Sequence, residues 1–501
     1  MEINKTKINI ISSLLLQIVT IICGFFIPRL IISTYGSSVN GLTASIAEFL
    51  GFITVLEGGV GVVVRSTLYK PIANKDKETI ENILKSANKF FRKIAFIFVA
   101  YVLVLCVIYP FNCINQFNFF YTASLILIMA IGLFAEYFFG ITYSIYLHVE
   151  QKRYISSTLL IITKILNACI IWGLVCLKQD IHIVQLVSTL VFLIRPIIQC
   201  IYVRKKYNIS LKEAANNYKI KQKWDGFIQH ITYIIYSNTD IVLISIFLNL
   251  KEVSVYSVYA MITNRLRSLM NSISDGIDAS FGNLIARDEK EKLNKNFSIY
   301  EGLYFTIATI IFSTTLVLII PFVKLYTRGI TDVDYIRPVF ASVIVLSRFI
   351  YIIRQPYYNL VKVAGHFRQT KPGAIIEAFL NIIVSVVLII KMGIVGVIIG
   401  TCVAAAYRTI EIMFYTAKNF LQRPVLKSFK VIFIITVEIA IIMLISKHFI
   451  PKFEIENYKV WIIYAIATTI AISVFIMIIN ALSFKEMREY IFAKKKVSDL
   501  R

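Results

Sequence analysis

The sequence predicts an all-α, polytopic membrane protein with about fourteen transmembrane helices, and three observations carry that expectation. The 501 residues are 57% hydrophobic and 16% charged, with a mean hydropathy of +0.73. An average soluble domain carries about 25% charged residues. Stretches such as Ile94–Pro110, Ile299–Pro321 and Val460–Leu482 are apolar for most of their length, close to the about 20 residues that cross a hydrocarbon core of about 30 Å. A faint internal repeat groups the helices into two six-helix lobes and a C-terminal helix pair. A soluble fold could not bury so much apolar surface.

In chain order, the apolar runs place spans near 8–34, 40–66, 94–112, 119–147, 155–177, 183–203, 227–249, 253–284, 299–322, 338–362, 373–391, 394–416, 430–449 and 460–482. The first, Ile8–Tyr35, is too long for the apolar core of a signal peptide and lacks a small-residue cleavage site, so it is expected to remain as a helix. The seventh and eighth are interrupted by Asn238, Asp240, Asn264 and Asn271. Hydrophilic spans in a hydrophobic bundle line something wet or pack inside protein. The longest outer loop, about Val323 to Pro338, is too short for a folded extracellular domain. The larger loops on the other side, Lys70–Lys93 and Arg204–Lys223, are basic and helix-compatible and suit an anionic inner leaflet.

The repeat rests on two pairs. Ile72-Ala-Asn-Lys-Asp-Lys-Glu78 follows the second span, and Ile285-Ala-Arg-Asp-Glu-Lys-Glu291 follows the eighth. Asn167 and Asn381 are separated by nearly the same offset. An offset of six spans preserves orientation, so the repeat is parallel, a known transporter design with the site between the halves. It divides the chain into 1–226, 227–420, and 421–501, the last an additional helix pair with a basic tail.

The formal net charge of +24 comes from 53 basic and 29 acidic residues. Most of the basic residues cluster in alternate loops, Lys70–Lys93, Arg204–Lys223, Arg287–Lys295, Lys418–Lys430 and the tail Lys485–Arg501. The positive-inside rule places those loops and both termini in the cytoplasm. Membrane topology thus explains the charge, and no nucleic-acid partner is expected. The seven cysteines are scattered mainly through apolar spans without ligand spacing, which argues against metal sites and disulfides. The five histidines are spread out, mostly at span ends. No GxSxG, HExxH, Walker A or GxGxxG motif stands in a plausible context. The chain is not expected to be an enzyme or to need a cofactor.

Eight basic residues lie inside the apolar runs: Arg29, Lys164, Arg195, Arg265, Arg267, Arg348, Arg354 and Arg408. Each cation at the bilayer centre costs roughly 2.5 to 3.5 kcal/mol on insertion scales, so their number points to a cationic interior and an anionic cargo. Arg29 falls about 30 Å into the first span, next to Pro28. Arg65 ends the second span, where snorkelling and function explain it equally well. Arg265 and Arg267, near the middle of the eighth span, point in different directions. Acids share the spans: Glu48, Glu57, Glu136, Asp240, Asp275, Asp278, Glu377, Glu411 and Glu438. Arg408 and Glu411 have the i,i+3 spacing of a local ion pair. Lys164 and Arg195 suit structural partnership with acids such as Glu136. Asp240 can either pair with an arginine of the eighth span or bind a coupling cation or proton. Arginine's planar fork matches phosphate oxygens bidentately and keeps its charge, so a cationic membrane cavity suits a lipid-linked diphosphate. The candidate cargo contacts are Arg29, Arg65, Arg265, Arg267, Arg348 and Arg354. Asp240, Glu57 and Glu377 are the candidate ion-coupling or pairing residues.

Several segments together resemble a known family. Tyr35-Gly36-Ser-Ser-Val-Asn-Gly41-Leu42 is followed by Leu56-Glu57-Gly58-Gly59-Val-Gly61, Arg65 and Leu68-Tyr69-Lys70-Pro71. Then come Asn238-Thr239-Asp240-Ile241, Val253-Ser-Val-Tyr256-Ser-Val-Tyr259 and, after Glu377 and Asn381, Gly393-Ile-Val-Gly396-Val-Ile-Ile-Gly400-Thr401. In order and spacing these are similar to bacterial Wzx-type polysaccharide flippases of the multidrug/oligosaccharidyl-lipid/polysaccharide (MOP) exporter superfamily. The resemblance implies two six-helix lobes in a V-shaped, alternating-access transporter of the bacterial cytoplasmic membrane. It implies a cargo of undecaprenyl-diphosphate-linked oligosaccharide, turned from the cytoplasmic to the outer leaflet, with a polysaccharide polymerase and glycosyltransferases as partners and a monomeric state. The lipid II flippase branch is similar in carrying basic residues on its first, second and eighth helices, which Arg29, Arg65 and Arg265 or Arg267 match by helix. Multidrug exporters of the superfamily usually have twelve spans and prefer cations, so the extra pair and the cationic interior set this chain apart. A glycan polymerase or ligase is the remaining alternative, and it would need a larger outer loop.

Overall fold

The computed structural model describes residues 2–57, 60–207, 209, 225–275, 277–449 and 455–483. Gly58, Gly59, the basic segment 210–224 and the tail from Lys485 therefore lie outside the described residues. Two compact units divide the chain, Met1–Ser254 and Val255–Arg501. Every regular element among the described residues is helical. Eleven of the helices are long and apolar enough to cross a bilayer, and the chain is a multi-pass membrane protein. Of the expected spans, the second, seventh and eighth are helical but fall outside those eleven. The second is divided among shorter pieces, and the apolar part of the seventh is Ser237–Phe247. The eighth carries Asn264, Arg265, Arg267 and Asn271.

In the first unit, α1 (Glu2–Gly51) runs through the first expected span and into the second. Gly36 interrupts it with φ 86° and ψ 171°, a backbone conformation that L side chains rarely adopt. Five residues on, a Cβ on Gly41 would stand 1.7 Å from the carbonyl oxygen of Leu250. The glycines that punctuate this segment are therefore a break and a close helix approach. Two short helices, α2 (Ile53–Glu57) and α3 (Val60–Ala73), complete the second expected span. Next, α4 (Lys77–Cys113) is capped by Asp76, which accepts hydrogen bonds from the Thr79 amide at 3.0 Å and the Thr79 hydroxyl at 2.6 Å. The basic loop Lys70–Lys93 is thus mostly the end of α3 and the opening turns of α4, helical beyond the apolar run. After α5 (Phe119–Ala135) comes one π-helical turn, Glu136–Gly140, before α6 (Ile141–Val149). The unit continues with α7 (Arg153–Cys176), α8 (Ile181–Tyr207), α9 (Asp225–Phe247) and the start of α10 (Leu250–Asp275). Its core joins Leu42, Ile46, Phe91, Phe98, Leu125 and Tyr146.

The second unit takes the rest of α10, then α11 (Asp278–Ala286), α12 (Lys290–Tyr326), α13 (Pro338–Val363) and α14 (Phe367–Met392). It ends with α15 (Ile394–Thr416), α16 (Val425–Phe449) and α17 (Tyr458–Ser483). Both α4 and α12 have 37 residues. A tight hairpin joins α14 and α15: a Cβ on Gly400 would lie 2.2 Å from the Ser385 hydroxyl, and Asn381 donates to the Thr401 hydroxyl at 2.9 Å. Aromatic rings fill the core, with Phe297 and Tyr357 centroids 5.5 Å apart and Phe281 and Tyr300 likewise 5.5 Å apart. Elsewhere large apolar side chains point outward, among them Phe96 and Ile108 on α4 and Ile463 on α17, as a lipid-facing surface requires.

Candidate functional site

The intramembrane charges sort into those that hold one another and those that do not. In the first unit, Arg195 on α8 donates to Glu136, the structural pairing expected for it. Glu136 opens the π-helical turn, and a Cβ on Gly140 would lie 2.8 Å from both its carboxylate and Pro196. A side chain at position 140 would thus crowd the pair. Glu57 accepts from the Tyr137 hydroxyl at 3.1 Å. Asp240 is fully buried in α9. Arg29 and Arg65 are half-buried on α1 and α3, and Arg65 lies near enough to His148 for its charge to act there.

In the second unit, the charges gather where α13, α14 and α15 meet. Arg354 on α13 donates to Glu377 on α14 at 2.6 Å, and the other Glu377 oxygen faces the Arg408 Nε at 3.7 Å. Arg408 also donates to Glu411 at 2.6 Å, the expected i,i+3 pair, and to the Thr370 carbonyl at 2.9 Å. A Cβ on Gly373 would stand 2.3 Å from the Arg408 guanidinium, so this glycine leaves room for the pair. Two cations flank Glu377, and in this conformation it is a pairing residue. Arg354 and Arg267 both lie over the Tyr351 ring, at 4.7 and 5.4 Å from its centroid, so the structure brings these two candidates together on α13 and α10. Arg348 is 2% exposed and donates to the Tyr256 hydroxyl at 3.1 Å.

A second buried network escaped the sequence reading. Arg423 donates to both oxygens of Glu301, at 2.8 and 2.7 Å, and to the Ser428 hydroxyl at 2.7 Å. The Tyr357 hydroxyl donates to the same carboxylate. Arg423 stands in a run that reads as a basic surface loop, yet it is 7% exposed. The available signal was Glu301, an acid at the start of an apolar run.

Three of the six candidate arginines have no carboxylate partner among the described residues: Arg65, Arg265 and Arg267. All three are half-buried, and their guanidinium charge is not spent on a protein anion.

No protein-family model matches the sequence, and no curated protein matches it. Solved structures do. A lipid II flippase, MurJ, in an inward-closed conformation is 16% identical, with a TM-score of 0.67 over 96% of this chain and 99% of that one. An inward-facing multidrug-resistance MATE transporter of the MOP superfamily is 12% identical, with a TM-score of 0.61 over 80% of this chain and 94% of that one. A MATE transporter from Vibrio cholerae is 13% identical, with a TM-score of 0.53 over 84% of this chain and 97% of that one. The chain shares the fold of these solved structures. The proteins in these structures are a flippase and multidrug transporters, and the charges described above sit within helices of the shared fold.

Proposed function

We propose that this chain is a flippase that carries undecaprenyl-diphosphate-linked oligosaccharide, the repeat unit of a surface polysaccharide, from the cytoplasmic to the outer leaflet by alternating access. The observation that carries the reading is the set of half-buried arginines without a carboxylate partner among the described residues, Arg65, Arg265 and Arg267. A cation kept in a membrane helix without an anion costs stability, and a diphosphate supplies the missing anion in the geometry a guanidinium prefers. Arg29 joins them as a candidate contact. Arg348 and Arg354, tied to Tyr256 and Glu377, are released to cargo only if those bonds open. The likeness to a lipid II flippase supports a lipid-linked cargo. The fourteen spans, the lobes 1–226 and 227–420, the helix pair 421–501, the cytoplasmic termini and the bacterial cytoplasmic membrane are parts of the same proposal. So are a monomeric state and the association with a polysaccharide polymerase and glycosyltransferases.

The second reading, a cation-coupled multidrug exporter, draws support from the MATE neighbours and from buried Asp240. It predicts changed drug resistance and unchanged surface glycans when the gene is deleted. The deciding experiment is neutralisation of Arg65, Arg265 and Arg267 to alanine, singly and together, in cells that depend on the protein for surface glycan. Loss of glycan at unchanged protein level supports the proposal. Normal glycan in the triple variant rejects the arginine site.

A further inference from the structure

Glu438 sits near the middle of α16, within a segment apolar enough to span a bilayer. It is 1% exposed, and neither carboxyl oxygen has a hydrogen-bond partner among the described residues. No charged group acts on it there either. Every other buried carboxylate of this unit with a described geometry has a cation, as Glu301 has Arg423 and Glu377 has Arg354.

The neighbours explain why no counter-ion reaches it. Three helices separate α12 from α16 in the chain, so the two run in the same direction. Ser428 of α16 donates to Glu301 of α12 at 3.3 Å, which fixes their common level. Ten residues further along α16 is Glu438, about 15 Å higher at the helical rise, and the same advance on α12 reaches Ile311. From Phe305 to Val323, α12 has no titratable side chain. Its nearest ones are Tyr304 below and Lys324 above. On α17, Lys459 and Tyr464 lie near one end, and nothing titratable follows from Ala465 to Ser483. On α15, Arg408 and Glu411 hold each other, and Tyr407, Tyr415 and Cys402 are the other titratable groups. Along α16 itself, Lys427 and Lys430 lie below Glu438, and Lys447 and His448 lie above it. One turn beyond Glu438, Ile442 packs with Val317, Leu318, Ile472 and Ile476, an apolar plug. Within a turn of its level, the Ser313 and Thr314 hydroxyls of α12 are buried without a hydrogen-bond partner.

An ionised carboxylate in such surroundings bears the full cost of desolvation without a compensating charge. We propose that Glu438 is a proton-binding site in the appended helix pair, carrying its proton in this conformation and releasing it only when α16 shifts from α12 and admits water. The bound species is a proton, and the anion left by its release would hold the helices apart. This coupling is independent of what the transporter carries.

The test is infrared difference spectroscopy of the full chain in lipid nanodiscs, wild type against Glu438→Gln, at neutral and alkaline pH. The expected result is a carbonyl band of a protonated carboxylic acid that is lost in the variant and fades in the wild type as pH rises. Carboxylate bands lost in its place at neutral pH overturn the proposal. If the variant does not fold, wild-type protein treated with a hydrophobic carbodiimide and mapped by mass spectrometry decides the matter. Modification of Glu438, with Glu301 and Glu377 unmodified, supports the site; modification of Glu301 or Glu377 with none at Glu438 overturns it.

Discussion

Arg354 and Glu377 show what a buried charge does once its partner is identified. Their 2.6 Å contact is the shorter of the two cation contacts to Glu377, beside Arg408 at 3.7 Å, and breaking a buried pair costs about 3–5 kcal/mol. Arg354→Met and Glu377→Met are therefore each expected to lower thermal stability in detergent markedly. Arg354→Met with Glu377→Met should recover much of that loss, as read from unfolding midpoints of the four proteins in a double-mutant cycle. Equal loss in the single and double variants would contradict the pairing. The sequence made some of these partnerships legible and hid others. Arg408 and Glu411 are one helical turn apart, so their pairing follows from spacing alone. Arg354 with Glu377, and Arg423 with Glu301, meet across different helices, and only tertiary packing brings them together. Arg423 stands close to Lys418 and Lys430, a context that reads as surface.

At the scale of elements, glycine positions and caps set the boundaries that hydropathy leaves vague. Gly41→Ala places a Cβ 1.7 Å from the Leu250 carbonyl, and backbone cannot yield there without displacing α10. This substitution is expected to abolish accumulation of folded protein, measured by gel filtration of the detergent extract. Gly173, with nothing near its Cβ position, is the matched control and should tolerate alanine. Apolar runs located most helices, but they understated α4 and α12, which continue past the membrane as basic, amphipathic turns. Capping explains where α4 starts. The Thr79 hydroxyl and amide hold the Asp76 carboxyl below its ordinary value of 3.8. Its contribution to the helix start is present above that ordinary value and is lost as pH falls through the lowered one. Protection of the first-turn amides against hydrogen exchange, corrected for intrinsic rates, should therefore exceed that of Asp76→Ala at neutral pH and fall to the variant's level in strong acid. Identical profiles for the two proteins would contradict the cap.

For the whole molecule, composition and loop charge made the membrane class and the helical fold legible, and similarity to MurJ and MATE structures supplies the MOP architecture. Cargo was less legible, because an arginine in an apolar run reads the same whether it meets a carboxylate or a phosphate. The structure shows a carboxylate partner for Arg354 and Arg408, and the proposal assigns Arg65, Arg265 and Arg267 to phosphate. The proposed orientation rests on the basic loops. An epitope inserted between Asn74 and Asp76 should be reached by antibody only after permeabilisation, whereas one at Thr331 should be reached in spheroplasts; the reverse pattern would invert the direction of transport. The most direct measurement is transbilayer movement of a fluorescent undecaprenyl-diphosphate oligosaccharide in vesicles reconstituted with the purified protein. The account predicts protein-dependent movement that falls at least tenfold in the Arg65→Ala/Arg265→Ala/Arg267→Ala variant. Movement no faster than in protein-free vesicles, or undiminished in that variant, would contradict it.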